Sequence, residues 1–106
     1  MVALQKAVES DWVGYSAITR LELFGYPDLT LEEEQALSTV SGQMEEVAVA
    51  SSIVDRAIQI RKSVRIKIPD AIIAATALES NASLITRNED DFKGVKNLEI
   101  INPWNV

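Results

Sequence analysis

Apolar and polar residues follow helical and strand-type patterns in turn along this chain, which predicts an α/β fold. The longest apolar segment starts at Pro69 and Asp70 and continues to Leu78, as in a helix buried on more than one face. Proline suits the first turn of a helix, and an acidic residue there faces the positive end of the helix dipole. The apolar run 84–86 then predicts a buried strand that leads into an acidic loop over residues 87–91.

Further strands are predicted on both sides of this segment. Residues 12–18 are rich in strand formers, residues 47–49 form a short apolar run, and residues 98–101 form the last predicted strand. The alternation of helices and strands is typical of a mostly parallel sheet with helices on both faces.

The remaining helices are predicted from composition and capping. Residues 1–9 have helical composition but no capping residue, and residues 19–24 turn helical and stop at Gly25. Thr30 and Glu33 form a capping box before the next helix. A further helix is capped by Ser51 or Ser52, and its apolar face consists of Ile53, Ala57, Ile60 and Val64.

Composition limits the class of protein. A chain of 106 residues allows one domain with a modest core, here residues 1–106. With no cysteine and no histidine, the chain can form neither a disulfide nor a thiolate metal site, and histidine-based acid–base catalysis is excluded. No apolar run is long enough to span a membrane and no signal peptide is recognisable, so a cytoplasmic protein without membrane contact is expected.

Charge weighs against nucleic-acid binding without excluding it. The net charge is −6, from 16 acidic and 10 basic residues, whereas affinity for nucleic acid rests mainly on neutralising phosphates. Carboxylates that hold divalent cations, however, count as negative in the sequence. The basic cluster follows the helix that starts near Ser51 and consists of Arg61, Lys62, Arg65 and Lys67. It is either surface charge that complements the helix dipole or a set of phosphate contacts.

Three acidic residues are candidates for a metal site. Glu22, Asp70 and Asp91 are each predicted at the carboxyl end of a strand or in the first turn of a helix. Converging carboxylates suit Mg²⁺ or Mn²⁺, and such an ion activates water and neutralises charge on a phosphate. This chemistry needs neither histidine nor a protein nucleophile. Alternatively, Glu22 is a surface glutamate and Asp70 only a helix-terminal acid.

Several motifs resemble the PIN domain, in particular the VapC-type toxins. Pro69-Asp70-Ala71-Ile72-Ile73-Ala74-Ala75, then Leu84-Ile85-Thr86-Arg87-Asn88 and Asp91-Phe92, look like the second half of such a domain. Ser16-Ala17-Ile18-Thr19 followed by Glu22 resembles its second motif, in which the glutamate lies in the first turn of a helix.

The resemblance implies a PIN-like α/β fold and a metal-dependent endoribonuclease that hydrolyses RNA phosphodiesters and is blocked by an antitoxin protein. It implies that Glu22, Asp70 and Asp91 are the catalytic metal ligands for Mg²⁺ or Mn²⁺, and that Asn88 binds the metal through water. Ser16, Thr19 and Thr86 are expected either to orient waters and carboxylates or to bond to the backbone.

One part of the family pattern is missing. PIN domains open with an apolar strand that ends in an aspartate, and Asp11 precedes a strand instead of ending one. We therefore expect a domain that lacks its N-terminal strand, whose place is between the strands at residues 12–18 and 83–86. Because unpaired sheet edges are templates for another chain, a homo-oligomer is expected. The alternative function is a non-catalytic PIN remnant that binds an antitoxin or itself; a nucleotide binder is disfavoured because no glycine-rich loop follows any strand.

Overall fold

A five-stranded sheet forms the centre of the protein. The computed structural model describes residues 3–6 and 12–104. The strands are β1 (Ala3–Lys6), β2 (Val13–Ser16), β3 (Glu45–Val47), β4 (Ala82–Ile85) and β5 (Ile100–Ile101), in the spatial order β3-β2-β1-β4-β5. β3 is parallel to β2 and β5 is parallel to β4, whereas β1 is antiparallel to both of its neighbours. Four strands therefore run in one direction and only the central strand is reversed, which confirms the predicted α/β fold.

In the part of the chain that the structure describes, four helices accompany the sheet: α1 (Ala17–Phe24), α2 (Leu31–Ser41), α3 (Ser51–Ser63) and α4 (Ile68–Glu79). A 3-10 turn, Glu89–Phe92, follows β4. No helix in the described ranges is long and apolar enough to cross a membrane.

Local signals placed the ends of two helices correctly. α4 has Pro69 and Asp70 in its first turn, and the chain leaves it through Asn81, whose φ of 53° lies in the left-handed region that asparagine tolerates. The capping box of α2 forms as predicted, with the Glu33 N–H donating to Thr30 Oγ1 over 3.1 Å and the Thr30 N–H donating to the Glu33 carboxylate over 3.0 Å. These ends are fixed within a few residues of sequence.

Other boundaries differ from the prediction. The strand predicted at 12–18 ends at Ser16, because the Ser16 side chain accepts a hydrogen bond from the Ile18 N–H and so starts α1 at Ala17. The strand predicted at 47–49 lies at Glu45–Val47, and the one predicted at 98–101 includes only Ile100–Ile101. α3 begins after Ala50 without a side-chain cap, so neither Ser51 nor Ser52 is its capping residue.

The helix predicted at residues 1–9 is wrong for residues 3–6, which form β1. Residues 1, 2 and 7–9, and Asp11, lie outside the described residues. Leu4 is 1% exposed and is paired with Gly14 of β2 and Leu84 of β4. Pairing on both sides supplies partners for backbone groups that would otherwise be buried without them, and this outweighs the weak helical preference of four residues.

β1 occupies the position at which the sequence analysis expected a gap. The edges of β2 and β4 that face each other both pair with β1, so neither inner edge is open. The expected association between copies rested on those open edges and loses that basis.

The core lies between the sheet and the helices α3 and α4. α4 is the most deeply buried helix, and Ala71, Ala74, Ala75 and Ala77 are all fully buried. The α3 face predicted from the sequence is confirmed for Ile53, Ala57 and Ile60, which are buried, whereas Val64 is half-buried and lies just beyond the end of the helix. Small alanine side chains allow α3 to approach α4 closely, and Phe92 of the 3-10 turn is part of the same cluster. This packing fixes the first turn of α4 against the 3-10 turn.

Candidate functional site

Two of the three predicted acids lie in one cleft. The cleft has a volume of about 370 Å³, and its lining residues are Arg61, Arg65, Ile66, Lys67, Asp70, Asp90 and Asp91. We call it the mixed-charge cleft. Asp70 comes from the first turn of α4, and Asp90 and Asp91 come from the 3-10 turn after β4. The fold therefore brings together acids that are some twenty residues apart in the sequence. This agrees with the rule that sites in open α/β sheets lie at the carboxyl ends of the strands.

The 3-10 turn is fixed on both sides. At its start, the Asn88 N–H donates to Oγ1 of the buried Thr86 over 3.1 Å. Asn102, which follows β5, donates through Nδ2 to the Glu89 carboxylate over 3.0 Å. Phe92, at the end of the turn, is 2% exposed. These contacts hold Asp90 and Asp91 at a defined position relative to α4.

The environment of Asp70 disfavours ionisation of its carboxyl. Asp70 is half-buried, whereas Asp90 and Asp91 are exposed. Burial raises the pKa of the Asp70 carboxyl, the negative charge of Asp91 raises it further, and Lys67 lowers it. The effect of Asp91 on this pKa indicates that the two carboxylates repel each other. A cation bound between them would reduce that repulsion.

This pKa shift predicts an effect on stability. An acid whose pKa is higher in the folded state than in the unfolded state lowers the free energy of unfolding. This loss is complete above the folded-state pKa and disappears as the pH falls below the ordinary value of 3.8. In EDTA, Asp70→Asn is therefore expected to unfold at a slightly higher temperature than the wild type at pH 7, with the difference closing towards pH 3. Thermal unfolding followed by circular dichroism across this range measures it. A variant less stable than the wild type at pH 7 would show that the fold stabilises the Asp70 charge.

The structure does not place Glu22 in the mixed-charge cleft. Glu22 is exposed and lines a different cleft of about 430 Å³, between α1 and α2, together with Leu23, Tyr26, Leu29, Glu33, Ala36 and Leu37. Because α1 begins at Ala17, Glu22 lies in the second turn of the helix, whereas the family resemblance placed it in the first turn. Within residues 3–6 and 12–104, no three acidic side chains are close enough together to hold a metal ion as a group.

The polar residues predicted to orient the site have identifiable local roles. Ser16 caps α1 and Thr86 accepts from Asn88, so both are bonded to the backbone. Thr19 is 4% exposed, and its Oγ1 has no hydrogen-bond partner among the residues that the structure describes. Asn88 is exposed at the start of the 3-10 turn, next to the cleft-lining acids in the chain.

Two carboxylates are a sufficient protein contribution for Mg²⁺. This ion keeps several waters and is commonly bound through one or two carboxylates together with phosphate oxygens of the substrate. Asp70 and Asp91 fit that requirement, since the charge of one raises the pKa of the other. β1 is antiparallel to β4, so its Ala3 end, and not its carboxyl end, lies beside Ile85 on this side of the sheet. The aspartate that ends the first strand in PIN domains therefore has no counterpart at the end of β1 that lies on this side of the sheet.

Basic residues also line this cleft, and the sequence analysis left them either as surface charge that complements the helix dipole or as phosphate contacts. Arg61, Arg65 and Lys67 line it opposite the acids, and Lys67 is close enough to Asp70 to lower its pKa. The signal for this arrangement in the sequence was the spacing of Lys67 and Asp70, which puts a cation just before α4 and an acid in its first turn.

Comparisons with known proteins identify the family and the fold. The model of the PIN domain family matches residues 3–98. A toxin–antitoxin complex from Klebsiella pneumoniae is similar in structure, with a TM-score of 0.71 and 30% identity over 88% of this chain and 75% of that chain. VapBC2 from Rickettsia felis, bound to a DNA fragment from its promoter, gives a TM-score of 0.68 and 26% identity over 84% and 73%.

A third solved structure, DNA-bound VapBC from Salmonella typhimurium, shares the fold, with a TM-score of 0.66 and 23% identity over 81% of this chain and 71% of that chain. No curated protein sequence matches the chain.

Proposed function

The chain belongs to the PIN domain family, and from this premise we propose that it is the toxin of a toxin–antitoxin pair, a metal-dependent endoribonuclease that hydrolyses RNA phosphodiesters. The observation that carries the proposal is the placement of Asp70 and Asp91 in one cleft, with the charge of Asp91 raising the pKa of Asp70. The toxin–antitoxin relatives support an antitoxin as the protein partner. The proposal places the protein in the cytoplasm, where its RNA substrate is found.

In this proposal, Asp70 and Asp91 hold a single Mg²⁺ or Mn²⁺ through their carboxylate oxygens. When bound, such a cation supplies activation of water and neutralisation of the charge that builds on the phosphate. The carboxylates fix the position at which the scissile phosphate is held, and Thr86 and Asn102 support this by holding the 3-10 turn.

Glu22 and Asn88 remain proposed ligands. Asn88 precedes the 3-10 turn directly, so a water between its side chain and the cation suffices. Glu22 can contribute only if its side chain leaves the cleft between α1 and α2. Association between copies remains a prediction, although β1 pairs with the edges from which it was inferred.

Exposed apolar side chains support a protein partner. Leu21, Tyr26 and Leu31, on and between α1 and α2, are 67%, 58% and 70% exposed. We propose that the antitoxin covers these side chains, because contiguous apolar surface on a small protein commonly marks an interaction site.

Metal-dependent cleavage tests the proposal. A single-stranded RNA with a fluorophore at one end is incubated with the purified chain in Mn²⁺, in Mg²⁺ or in EDTA, and the products are separated by gel electrophoresis. We expect internal cleavage with either metal, none in EDTA, and none of a DNA strand of the same sequence. Cleavage that persists in EDTA would contradict the proposed mechanism.

One observation favours a second function, a non-catalytic PIN remnant that only binds protein. Glu22 lies outside the mixed-charge cleft, so only two of the three ligands that the family resemblance implies, Asp70 and Asp91, line it. Binding of an antitoxin without any metal-dependent cleavage of RNA would support this alternative.

A further inference from the structure

Positive charge is concentrated at the connection between α3 and α4. Arg61, Lys62, Arg65 and Lys67 are four of the ten basic residues in a chain of net charge −6. All four side chains are exposed. A local concentration of cations on an otherwise acidic protein calls for a physical reason.

The cations surround a continuous concave surface. A cleft of about 410 Å³ is lined by residues 61–66, and the mixed-charge cleft of about 370 Å³ shares Arg61, Arg65 and Ile66 with it. The surface thus leads from a basic end, at the last turn of α3, to Asp70 and Asp91.

The helix dipole explains only part of this cluster. Arg61 and Lys62 lie in the last turn of α3, where cations are favourable. Arg65 lies beyond that helix, and Lys67 is the N-cap of α4, where a cation faces the positive end of the dipole and makes no capping bond. Placing a lysine there is locally unfavourable.

Ion pairs with the neighbouring acids do not explain the cluster either. In the ranges that the structure describes, the ion pairs join Arg20 to Glu46 and Arg56 to Glu79, both away from this cleft. Arg61 donates instead through Nε to the Ile66 carbonyl over 3.2 Å, which fixes its guanidinium beside the cleft. The cations therefore face the cleft without being tied to Asp70, Asp90 or Asp91 by ion pairs.

We propose that Arg61, Arg65 and Lys67 form a phosphate-binding subsite that holds the backbone of an RNA strand next to Asp70 and Asp91. The inference rests on the proposed function, because it assigns the substrate side of the same cleft. Guanidinium groups bind phosphate oxygens in a bidentate manner, and lysine contributes a mobile point charge. Contacts to phosphates position a strand without reading its bases, so this subsite contributes affinity independent of sequence.

Equilibrium binding in the absence of cleavage tests the subsite. A fluorescent 2′-O-methyl oligoribonucleotide is titrated with the chain in EDTA at several salt concentrations, and fluorescence anisotropy gives Kd and its salt dependence. For a single strand, each lost phosphate contact lowers the slope of log K against log salt by about 0.7, which is about fivefold in affinity at 0.1 M salt. We expect this change for Arg65→Gln and for Lys67→Gln. Arg61 is left intact in this test because it also holds the Ile66 carbonyl.

Lys96→Gln is the matched control, since Lys96 is exposed, carries the same charge and lines a different cleft. Wild-type affinity for Lys96→Gln together with a reduced slope for the other two variants supports the subsite. An equal loss in all three variants, or no loss at Arg65 and Lys67, overturns it. The absence of any binding in EDTA also overturns it, while metal-dependent cleavage would still support the proposed function. Binding with the expected slopes but no cleavage supports the subsite and contradicts the endoribonuclease.

Discussion

Replacing either Asp70 or Asp91 with asparagine is expected to reduce RNA cleavage by at least about 100-fold, the usual cost of losing one group that stabilises a transition state electrostatically. The double variant is expected to be no slower than the slower single variant. The reason is that both carboxylates lie in one cleft and, in the proposed function, hold the same ion, so the loss of one would disable the unit. Initial cleavage rates of the labelled RNA in Mn²⁺ measure the three effects.

Two further variants sharpen this prediction. Asp90→Asn changes the neighbouring acid in the same cleft and identifies which carboxylate of the 3-10 turn acts; a large loss there with little loss at Asp91 would exchange their roles. Asp55→Asn, at an exposed position of α3, controls for the change in net charge and should keep wild-type activity. If the losses at Asp70 and Asp91 multiply in the double variant, the two residues act separately and the shared-ion proposal is wrong.

Leu4→Ala is expected to destabilise the protein by about 2–5 kcal/mol, the range for removing a buried leucine side chain from a core. Leu4 is 1% exposed and lies in the central strand, paired with Gly14 on one side and Leu84 on the other. A loss of this size is a large part of the roughly 5–15 kcal/mol that stabilises a typical domain. Urea unfolding followed by circular dichroism measures the change in the free energy of unfolding.

Ile58→Ala is the control for Leu4→Ala. Ile58 is 45% exposed on α3, and surface substitutions usually change stability by no more than about 0.5 kcal/mol. If Leu4→Ala costs as little as Ile58→Ala, residues 3–6 do not form the central strand. Running each unfolding curve at two protein concentrations also addresses association between copies, because the midpoint of a monomer does not depend on concentration.

Features fixed by nearby residues were predictable from the sequence. The start of α4 follows from Pro69 and Asp70, and the start of α2 follows from the capping box of Thr30 and Glu33. The placement of Asp70 and Asp91 in one cleft was also predictable, since the start of α4 and the end of β4 lie at the same edge of the sheet.

Features decided by distant contacts were not predictable. Residues 3–6 read as helix by composition, but their conformation is determined by pairing with β2 and β4. The position of Glu22 was missed for a different, local reason: the Ser16 cap starts α1 at Ala17, earlier than predicted, and Glu22 lines the cleft between α1 and α2. Since successive helical residues are about 100° apart around the axis, a shift of two residues in the start of a helix changes which face is assigned.

The reversed central strand determines the order in which this protein can fold. Leu4 pairs with Leu84, far along the chain, so the two halves of the sheet cannot be joined through β1 until β4 has been synthesised. Pairings between residues far apart in sequence require closure of a long loop, and this slows folding relative to local contacts. During synthesis, β2 and β3 can pair early, whereas β1 gains its second neighbour only once α4 and β4 have left the ribosome. β1 therefore has only one of its two neighbours until β4 is available, although β1 precedes β2, β3 and β4 in the sequence.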